Sequence, residues 1–357
     1  AIGSLVLLPV IRALLSITIA ALGALWCLLI AGAFGVFEAC CPLAPWALKI
    51  KLTVLRLPQQ YLTRLWLLVL GFWWVRIEGC PPCCPSAVCG DMPKEIVTNH
   101  TTFIDVLVMV WQQMPSFLAK EGVFQIPFIG TVGRVNQMIG VARNSAEGRA
   151  TTKARVLDHI ANPHTPPLLI FPEGTTSRND SIIQFKAGGA FAAGVAVQPV
   201  LLRYYPCWCS SFDMSNTPGQ NTKNWALRLL CAPWHSLVVT YLPPVVPDAS
   251  MQADSVLFAN AVRSAMAEGM GPDAHISDQS YDEFFLWKLG REELKLPSRV
   301  LRTLEFKPAA AAVAESGGSA PGPLTLEHAK ATMRGYDQAY RETKNAKAAA
   351  GGQTESD

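Results

Sequence analysis

The stretch Val97-Thr98-Asn99-His100-Thr101-Thr102-Phe103-Ile104-Asp105 contains the end of a predicted β-strand, a turn and the start of a helix. An apolar run, Val106 to Trp111, continues that helix. Within one continuous helix, five steps of 100° would leave the two side chains of His100 and Asp105 roughly 140° apart. The two side chains meet only if His100 precedes the helix and Asp105 lies in its first turns.

An imidazole paired with a carboxylate in this way indicates a general base. The carboxylate of Asp105 would select the tautomer of His100 and stabilise the imidazolium that forms when His100 takes a proton. The motif contains no serine or cysteine nucleophile, so the base would activate a hydroxyl group on a substrate. Taken alone, the pattern also occurs by chance, and an ordinary partly buried histidine at a strand end is the alternative.

Size and composition limit the class of protein. The chain has 357 residues, enough for one or two domains with a substantial core. Half of the residues are hydrophobic and 16% are charged, which indicates membrane contact. The net charge of +3 does not indicate nucleic-acid binding. The ten cysteines lack the spacing of a small disulfide scaffold, so we expect mostly reduced thiols facing the cytosol.

The N-terminal residues 1–78 are predicted to anchor the chain in a membrane. Ala13 to Phe37 contains no charged residue and is long enough to cross a hydrocarbon core as a helix. A signal peptide and a buried core helix are the alternatives. More basic residues follow this segment than precede it, which places its C-terminal side in the cytosol if it spans once. The tryptophans of a shorter run, Leu65 to Val75, suit a membrane interface, and a buried amphipathic helix is the equal alternative.

Residues 79–94 form a predicted loop that is rich in cysteine and proline. Cys80, Cys83, Cys84 and Cys89 supply the four thiols that a zinc site needs. The adjacent pair Cys83 and Cys84 fits tetrahedral geometry poorly, and no second pair of ligands follows. A plain loop is the favoured interpretation, with metal binding and reversible palmitoylation left open.

From residue 95 onward, predicted strands alternate with predicted helices. The strands are Glu95–Asn99, Leu168–Phe171, Val195–Tyr204 and Leu237–Leu242, and the helices are Ile104–Gln113, Asn144–Ala161 and Ser255–Glu268. This alternation predicts an α/β fold, a mixed β-sheet flanked by helices and preceded by the hydrophobic membrane-anchoring helical segment. Residues 308–357 are rich in Ala and Gly, and we predict a tail with a polar helix.

Cations and a glycine turn follow the histidine motif along the chain. The cations are Lys120, Arg143, Arg178 and Lys186. Arginine forks match phosphate oxygens and lysine offers a point charge, so a phosphate beside a reactive hydroxyl would fit. Each cation alone is most simply a solvated surface charge. Glu173 is expected either to bind substrate hydroxyls or to cap the following turn, and backbone N–H groups near Gly174 can hold an anion.

In this order, the blocks resemble the four motifs of the glycerolipid (PlsC-type) acyltransferase family, which joins an acyl-CoA to a glycerophosphate or lysophospholipid hydroxyl. The resemblance identifies His100 and Asp105 with the catalytic pair. It identifies Arg143 with the basic residue of the second motif, Phe171 to Thr175 with the third, and Pro199 with the fourth. The predicted substrate-binding residues are Lys120, Arg143, Glu173, Gly174, Thr175, Arg178, Lys186 and Pro199.

The wider chain is similar to one branch of that family, the lysophosphatidylcholine and lysophosphatidylethanolamine acyltransferases. The residues that carry this similarity are Gln198 to Tyr204, Tyr241 to Pro243, Val262 to Ala267 and Leu294 to Pro297. The resemblance implies an acyltransferase catalytic domain over residues 95–307. The chain has no Asp-x-Asp-x-Asp-Gly loop, so calcium regulation is not expected.

The resemblance implies a membrane enzyme of phospholipid biosynthesis or remodelling, in the endoplasmic reticulum with its catalytic domain facing the cytosol. It implies acyl-CoA as co-substrate, a lysophospholipid as acceptor and the bilayer as partner, with no cofactor, metal or nucleic acid. An acyltransferase for lysophosphatidic acid or glycerol 3-phosphate is the first alternative, since the motifs are shared. A catalytically inactive lipid-binding protein is the second, and the absence of Gly-x-Ser-x-Gly argues against a serine hydrolase.

Overall fold

The structure is a computed structural model that describes residues 2–40, 45–79, 93–126, 129–141, 146–188, 191–207, 212–216, 221–272 and 275–276. Ala1–Thr217 and Asn221–Ile276 form one compact unit. Pro218–Gln220 and Ser277–Asp357 form a second unit, which lies outside the described residues. The Cys80–Cys89 cluster and the predicted tail helix also lie outside them. The predicted domain boundaries therefore stay predictions.

The compact unit contains helices and strands in alternation. The helices are α1 (Ile2–Cys40), α2 (Pro45–Val69), α3 (Ile104–Gln113), α4 (Ile129–Val135), α5 (Ala146–Ala161), α6 (Thr222–Cys231), α7 (Ala249–Ala253) and α8 (Ser255–Met270). The strands are β1 (Trp74–Glu78), β2 (Glu95–Thr98), β3 (Ser116–Lys120), β4 (Ile139–Val141), β5 (Leu168–Ile170), β6 (Ser181–Ile182), β7 (Val197–Tyr205), β8 (Ser236–Tyr241) and β9 (His275–Ile276). A 3-10 helix, Glu121–Gln125, follows β3.

Seven of these strands form one mixed sheet, in the order β1-β8-β7-β2-β5-β3-β4. The five strands from β7 to β4 are parallel to one another, whereas β8 runs antiparallel to β7 and β1 runs parallel to β8. Parallel neighbours need long crossover connections, which α3 to α5 help to supply. The carboxyl ends of the five parallel strands consequently meet at one edge, with β2 between β5 and β7. The remaining pair, β6 and β9, forms a small separate sheet.

Both faces of the large sheet are covered, because successive side chains of its strands point to opposite sides. In β2, Ile96 packs into a core cluster with residues of α3 and α6, such as Met109 and Leu229. Its neighbour Val97 packs into a second cluster with residues of α5 and α8, such as Phe258. This three-layer arrangement buries the parallel strands on both sides, which explains their nearly continuous apolar sequences.

The helix α1 contains the apolar segment that the sequence predicts. Its segment Leu7–Ala33 has a mean hydropathy of 2.4 and is long and apolar enough to cross a membrane. Gln59 of α2 donates a hydrogen bond to the carbonyl of Gly23 (3.1 Å), so α2 packs along α1. The Arg12 guanidinium donates to the carbonyls of Leu230 (3.0 Å) and Pro233 (2.8 Å) at the end of α6. These bonds attach the apolar helix to the α/β part of the unit.

The predicted α/β class, a mixed sheet flanked by helices, is confirmed. Each of the four predicted strands and three predicted helices is present, with ends within two residues of those predicted. The prediction missed the strands β1, β3, β4, β6 and β9 and the helices α4, α6 and α7. The three of these strands that join the large sheet, β1, β3 and β4, contain charged residues or glycine, so they lack the continuous apolar run that marks β5.

The apolar run Leu65 to Val75 is not a single segment, which corrects the prediction. The helix α2 ends at Val69, and β1 begins at Trp74. Between them Gly71 has a φ of +97°, a conformation that favours glycine, and the chain turns there. Trp66 packs against the core, whereas Trp74 is 68% exposed. Trp66 therefore fits the buried interpretation, and the membrane interface stays a prediction for Trp74.

Candidate active site

The candidate site begins where β2 ends. The last rung between β2 and β7 pairs Thr98 with Val200. The side-chain amide of Asn99 then takes over from the backbone, since Nδ2 donates to the carbonyl of Leu202 (3.0 Å) and Oδ1 accepts from its N–H (2.8 Å). The chain can therefore turn away from the sheet at His100 without leaving the edge of β7 unpaired.

The imidazole of His100 pairs with the carboxylate of Asp105. Helix α3 begins at Ile104, so Asp105 lies in its first turn, as the spacing predicts. His100 Nδ1 is 2.8 Å from Asp105 Oδ2, and the same oxygen accepts from the N–H groups of Thr101 (2.7 Å) and Thr102 (2.9 Å). Asp105 is fully buried, whereas the His100 side chain is 19% exposed. Because Nδ1–H donates to Asp105, Nε2 keeps its lone pair, and no hydrogen bond to Nε2 occurs among the described residues.

The turn that follows β5 holds His100 from the other side. The ring of Phe171 stacks on the imidazole, with centroids 3.9 Å apart and planes 22° apart. Glu173 Oε1 accepts from the backbone N–H of His100 (3.1 Å), and the N–H of Ser177 donates to the His100 carbonyl (2.6 Å). Since β5 is hydrogen-bonded to β2, this turn arrives beside His100. Backbone and ring of the histidine are thus both fixed.

Glu173 is buried within this turn instead of facing solvent. Burial raises the pKa of its carboxyl to about 8, while hydrogen bonding toward Ser177 and the backbone of His100 and Ile183 opposes the shift and the Asp105 charge adds to it. The Oε2 atom forms no hydrogen bond of standard geometry with described residues. Glu173 is therefore a neutral acid at pH 7 that supports His100, and its predicted contact with substrate hydroxyls stays a prediction.

The cations of the third motif lie around a glycine turn. Gly174 has a φ of +70°, and its N–H donates to the carbonyl of Phe171 (3.1 Å). A Cβ at Gly174 would lie 3.2 Å from Cε of Lys186, so the lysine side chain passes directly over the turn. Arg178 forms a two-pronged ion pair with Asp180 (2.9 and 2.7 Å) and is exposed. Lys186 is therefore the cation nearest to the turn among those that the structure describes.

The structure places the other predicted site residues at three locations. Thr175 lies half-buried in the glycine turn. Lys120 is the last residue of β3, at the edge where the parallel strands end. Pro199 is buried within β7, paired with Val97, below that edge. Arg143 lies outside the described residues, although β4 ends at Val141 on the same edge. In the described ranges, no group of three His, Cys, Asp or Glu side chains is arranged to hold a metal ion.

Two residues at this site were not predicted as site residues. Phe171 appears in the sequence only as the first letter of the third motif, and nothing there shows its stacking on His100. Tyr204 of β7 donates its hydroxyl to Asp105 Oδ1 at 2.5 Å. Ninety-nine residues separate these two partners in the chain, so only the pairing of β7 with β2 brings them together.

Comparison with known proteins agrees with this geometry. Residues 94–203 match the family model described as Acyltransferase. The chain is 31% identical to the lysophospholipid acyltransferase LPEAT1 of Arabidopsis thaliana over 61% of this chain and 59% of that protein. It is also 31% identical to lysophosphatidylcholine acyltransferase 2 of Homo sapiens over 76% of this chain and 48% of that protein. The chain thus spans about half the length of these relatives.

A solved structure is also similar, the 1-acyl-sn-glycerophosphate acyltransferase PlsC of Thermotoga maritima. The similarity covers 72% of this chain and 96% of that chain, at 15% identity and a TM-score of 0.44. The family match includes the complete His100–Asp105 pair and the turn after β5. Residues 94–203 are therefore a domain of the acyltransferase family, in a chain that resembles the lysophospholipid acyltransferases.

Proposed function

We propose that the chain is a membrane-bound, acyl-CoA-dependent O-acyltransferase that re-acylates a lysophospholipid of the lysophosphatidylcholine or lysophosphatidylethanolamine type. The observation that carries this proposal is the His100–Asp105 pair, with a buried carboxylate on Nδ1 and Nε2 left as an acceptor. No serine or cysteine forms a hydrogen bond with the His100 ring among the described residues. A base without its own nucleophile suits transfer to a substrate hydroxyl.

In this mechanism, Nε2 of His100 removes the proton from the free glycerol hydroxyl as its oxygen attacks the thioester carbonyl of acyl-CoA. A tetrahedral intermediate forms, with the negative charge on the former carbonyl oxygen. Asp105 stabilises the imidazolium during this step. The intermediate then collapses, the C–S bond breaks, and the imidazolium returns its proton to the CoA thiolate. The products are a phospholipid and free CoA, and His100 regains its starting state.

Cations beside the base would bind the phosphate of the lysophospholipid. The Lys186 side chain passes over the turn at Gly174. Gly174 directly follows Glu173, whose carboxyl accepts a hydrogen bond from the backbone N–H of His100. Lys120 ends β3, and β4 ends at the same edge of the sheet with Val141, two residues before Arg143 in the sequence. Because the Gly174 N–H already serves the carbonyl of Phe171, these cations are better suited than that N–H to stabilise the developing oxyanion.

The helix pair α1 and α2 would attach the enzyme to the bilayer that holds its acceptor. Leu14, Ile17 and Leu28 of α1 are each more than half exposed, a pattern that suits lipid contact. Since Gln59 of α2 bonds to the carbonyl of Gly23 in α1, we propose that the two helices contact the bilayer together. On the family resemblance, we place this helix pair in the endoplasmic reticulum with the site facing the cytosol.

The proposal is tested by acyl transfer from labelled oleoyl-CoA in membranes from cells that express the chain. The acceptors are lysophosphatidylcholine, lysophosphatidylethanolamine, lysophosphatidic acid and glycerol 3-phosphate. The wild-type chain is compared with His100→Ala and with His164→Ala, a matched control, because His164 is an exposed loop residue. We expect transfer to the first two acceptors, lost in His100→Ala and unchanged in His164→Ala.

The other outcomes separate the alternatives. Transfer only to lysophosphatidic acid or glycerol 3-phosphate would keep the chemistry and reject the lysophospholipid assignment. Wild-type rates in His100→Ala would reject the mechanism. Absence of transfer to every acceptor, with the protein present in the membrane, would favour a lipid-binding role.

A further inference from the structure

The hydrogen bonds of Asp105 extend beyond the pair with His100. Its Oδ2 atom accepts from His100, Thr101 and Thr102, and its Oδ1 atom accepts from the hydroxyl of Tyr204 at 2.5 Å. Asp105 and Tyr204 are both buried, at 0% and 2% exposure. In such surroundings a carboxylate oxygen without a donor carries a large energetic cost, so the Tyr204 hydroxyl satisfies the one oxygen that the turn does not reach.

The position of Tyr204 is itself fixed by a side-chain amide. Asn179 Oδ1 accepts from the N–H of Tyr204 (2.8 Å), and Asn179 Nδ2 donates to its carbonyl (2.7 Å). Asn99 makes the same two bonds with Leu202, two residues earlier on the same edge of β7. Beyond the end of β2, where the chain turns toward His100, the two side-chain amides supply the hydrogen bonds to the backbone of β7 that β2 supplies before that point. They keep β7 extended, with Tyr204 held toward Asp105.

We infer that Tyr204 is a positioning residue of the candidate catalytic pair, which acts by holding the Asp105 carboxylate in the orientation that serves His100. Asn179 supports this role by fixing the backbone of Tyr204 from the loop that carries the third motif. The inference rests on the proposed function, because it concerns the base of that reaction. It adds a residue that touches neither substrate in the proposed mechanism.

The hydroxyl also affects the negative charge that Asp105 presents to His100. Among the residues that the structure describes, the titratable groups that face Asp105 are His100, Tyr204 and, more distantly, Glu173. The Tyr204 hydroxyl, which donates to Oδ1, draws part of the negative charge of the Asp105 carboxylate away from Oδ2. The carboxylate then attracts the imidazolium of His100 less strongly. Removal of this donor leaves more of the negative charge of Asp105 for the imidazolium of His100. A purely structural tyrosine would have no such effect on the base.

The test compares Tyr204→Phe with Tyr205→Phe, the same change one residue later. Tyr205 is 42% exposed and its ring lies beside Arg203. We measure kcat, KM for both substrates and the pH dependence of kcat/KM. For Tyr204→Phe we expect kcat to fall about tenfold, the loss of one charge-assisted hydrogen bond. We expect both KM values to stay within about twofold, and the acidic limb of the profile to move to higher pH.

Each outcome decides the inference separately from the proposed function. Equal kcat and an unmoved acidic limb in Tyr204→Phe would overturn the inference, while transfer by the wild type that is lost in His100→Ala would leave the proposed function intact. If Tyr204→Phe does not fold, Asn179→Ala tests the inference instead. This variant keeps the Tyr204 hydroxyl and removes the two hydrogen bonds that fix the backbone of Tyr204. A lower kcat at constant KM in Asn179→Ala supports the inference, and wild-type kcat contradicts it.

Discussion

The carboxyl oxygen Oε1 of Glu173 accepts a hydrogen bond from the backbone N–H of His100, although the two residues are seventy-three positions apart in the chain. The same turn returns a hydrogen bond from Ser177 to the His100 carbonyl. The turn after β5 therefore forms hydrogen bonds with both the backbone N–H and the backbone carbonyl of the candidate base, His100. The turn and the base belong to one rigid arrangement, in which a change in the turn displaces His100.

Glu173→Gln is expected to keep the fold, whereas Glu173→Ala is expected to lose about 1–3 kcal/mol of unfolding free energy. The carboxyl is neutral at pH 7, and an amide of the same shape can still accept from the His100 N–H. Alanine leaves that partly buried N–H without its acceptor. Chemical denaturation at pH 7 measures both variants, and a Glu173→Ala protein as stable as the wild type would contradict the assigned bond.

The raised pKa of Glu173 also predicts how stability depends on pH. Its folded-state pKa is about 8, above the ordinary value of 4.5. Between these values the folded state holds a proton that the unfolded chain has released, so the free energy of unfolding falls as pH rises from about 4.5 to about 8. Glu173→Gln removes this contribution. Melting curves across that pH range test it, and an identical pH slope in the variant would refute it.

Asp105→Asn is expected to lower kcat by about 10³-fold with little change in KM. An asparagine is neutral, so even with its amide oxygen in the place of Oδ2 it does not stabilise the imidazolium that forms on His100 as the carboxylate does. Asp158→Asn is the matched control, because Asp158 is exposed on α5. Steady-state transfer assays compare the two, and a kcat within threefold of wild type in Asp105→Asn would contradict the role.

Gly174→Ala is expected to impair substrate binding, whereas Gly194→Ala is not. Both glycines have a positive φ, of +70° and +60°, so each alanine costs about 1 kcal/mol in backbone strain. Only at Gly174 does the new Cβ press on Lys186, at 3.2 Å from Cε; at Gly194 the nearest atom is 3.5 Å away, an ordinary contact. We therefore expect a higher KM for the lysophospholipid in Gly174→Ala alone.

The KM values of these two glycine variants are compared with their melting temperatures. Similar losses of stability with different KM values would support a substrate role for Lys186. Equal KM values in the two variants would place Lys186 outside the substrate site.

Glu95→Met is expected to stabilise the protein. Glu95, the first residue of β2, is fully buried, burial raises its pKa well above the usual value, and its two oxygens form no hydrogen bond with described residues. Its folded pKa lies above its unfolded pKa, so it lowers stability as pH rises above about 4.5. Replacement by a side chain of similar volume is expected to add about 1–2 kcal/mol at pH 7. A lower melting temperature in Glu95→Met would show that the carboxyl has a partner.

The sequence by itself determined the central elements of the α/β unit (β2, β5, β7, β8, α3, α5 and α8) and the reach of Asp105 back to His100. These features depend on neighbours in the chain, since five residues and one helix start suffice to place the carboxylate on the imidazole. The order of the four motifs was equally visible, because family motifs are local patterns of residues. The predicted strand ends were correct to within two residues for the same reason.

Only the tertiary structure decided what surrounds the pair. The Phe171 ring, the Glu173 carboxyl and the Tyr204 hydroxyl reach His100 or Asp105 through the pairing of β5 and β7 with β2. Strand order is a property of the whole sheet, and no local pattern encodes it. Burial likewise depends on the assembled layers, so only the structure shows that Glu173, for which the sequence left substrate hydroxyls and a turn cap open, lies against the backbone of His100, where burial raises the pKa of its carboxyl.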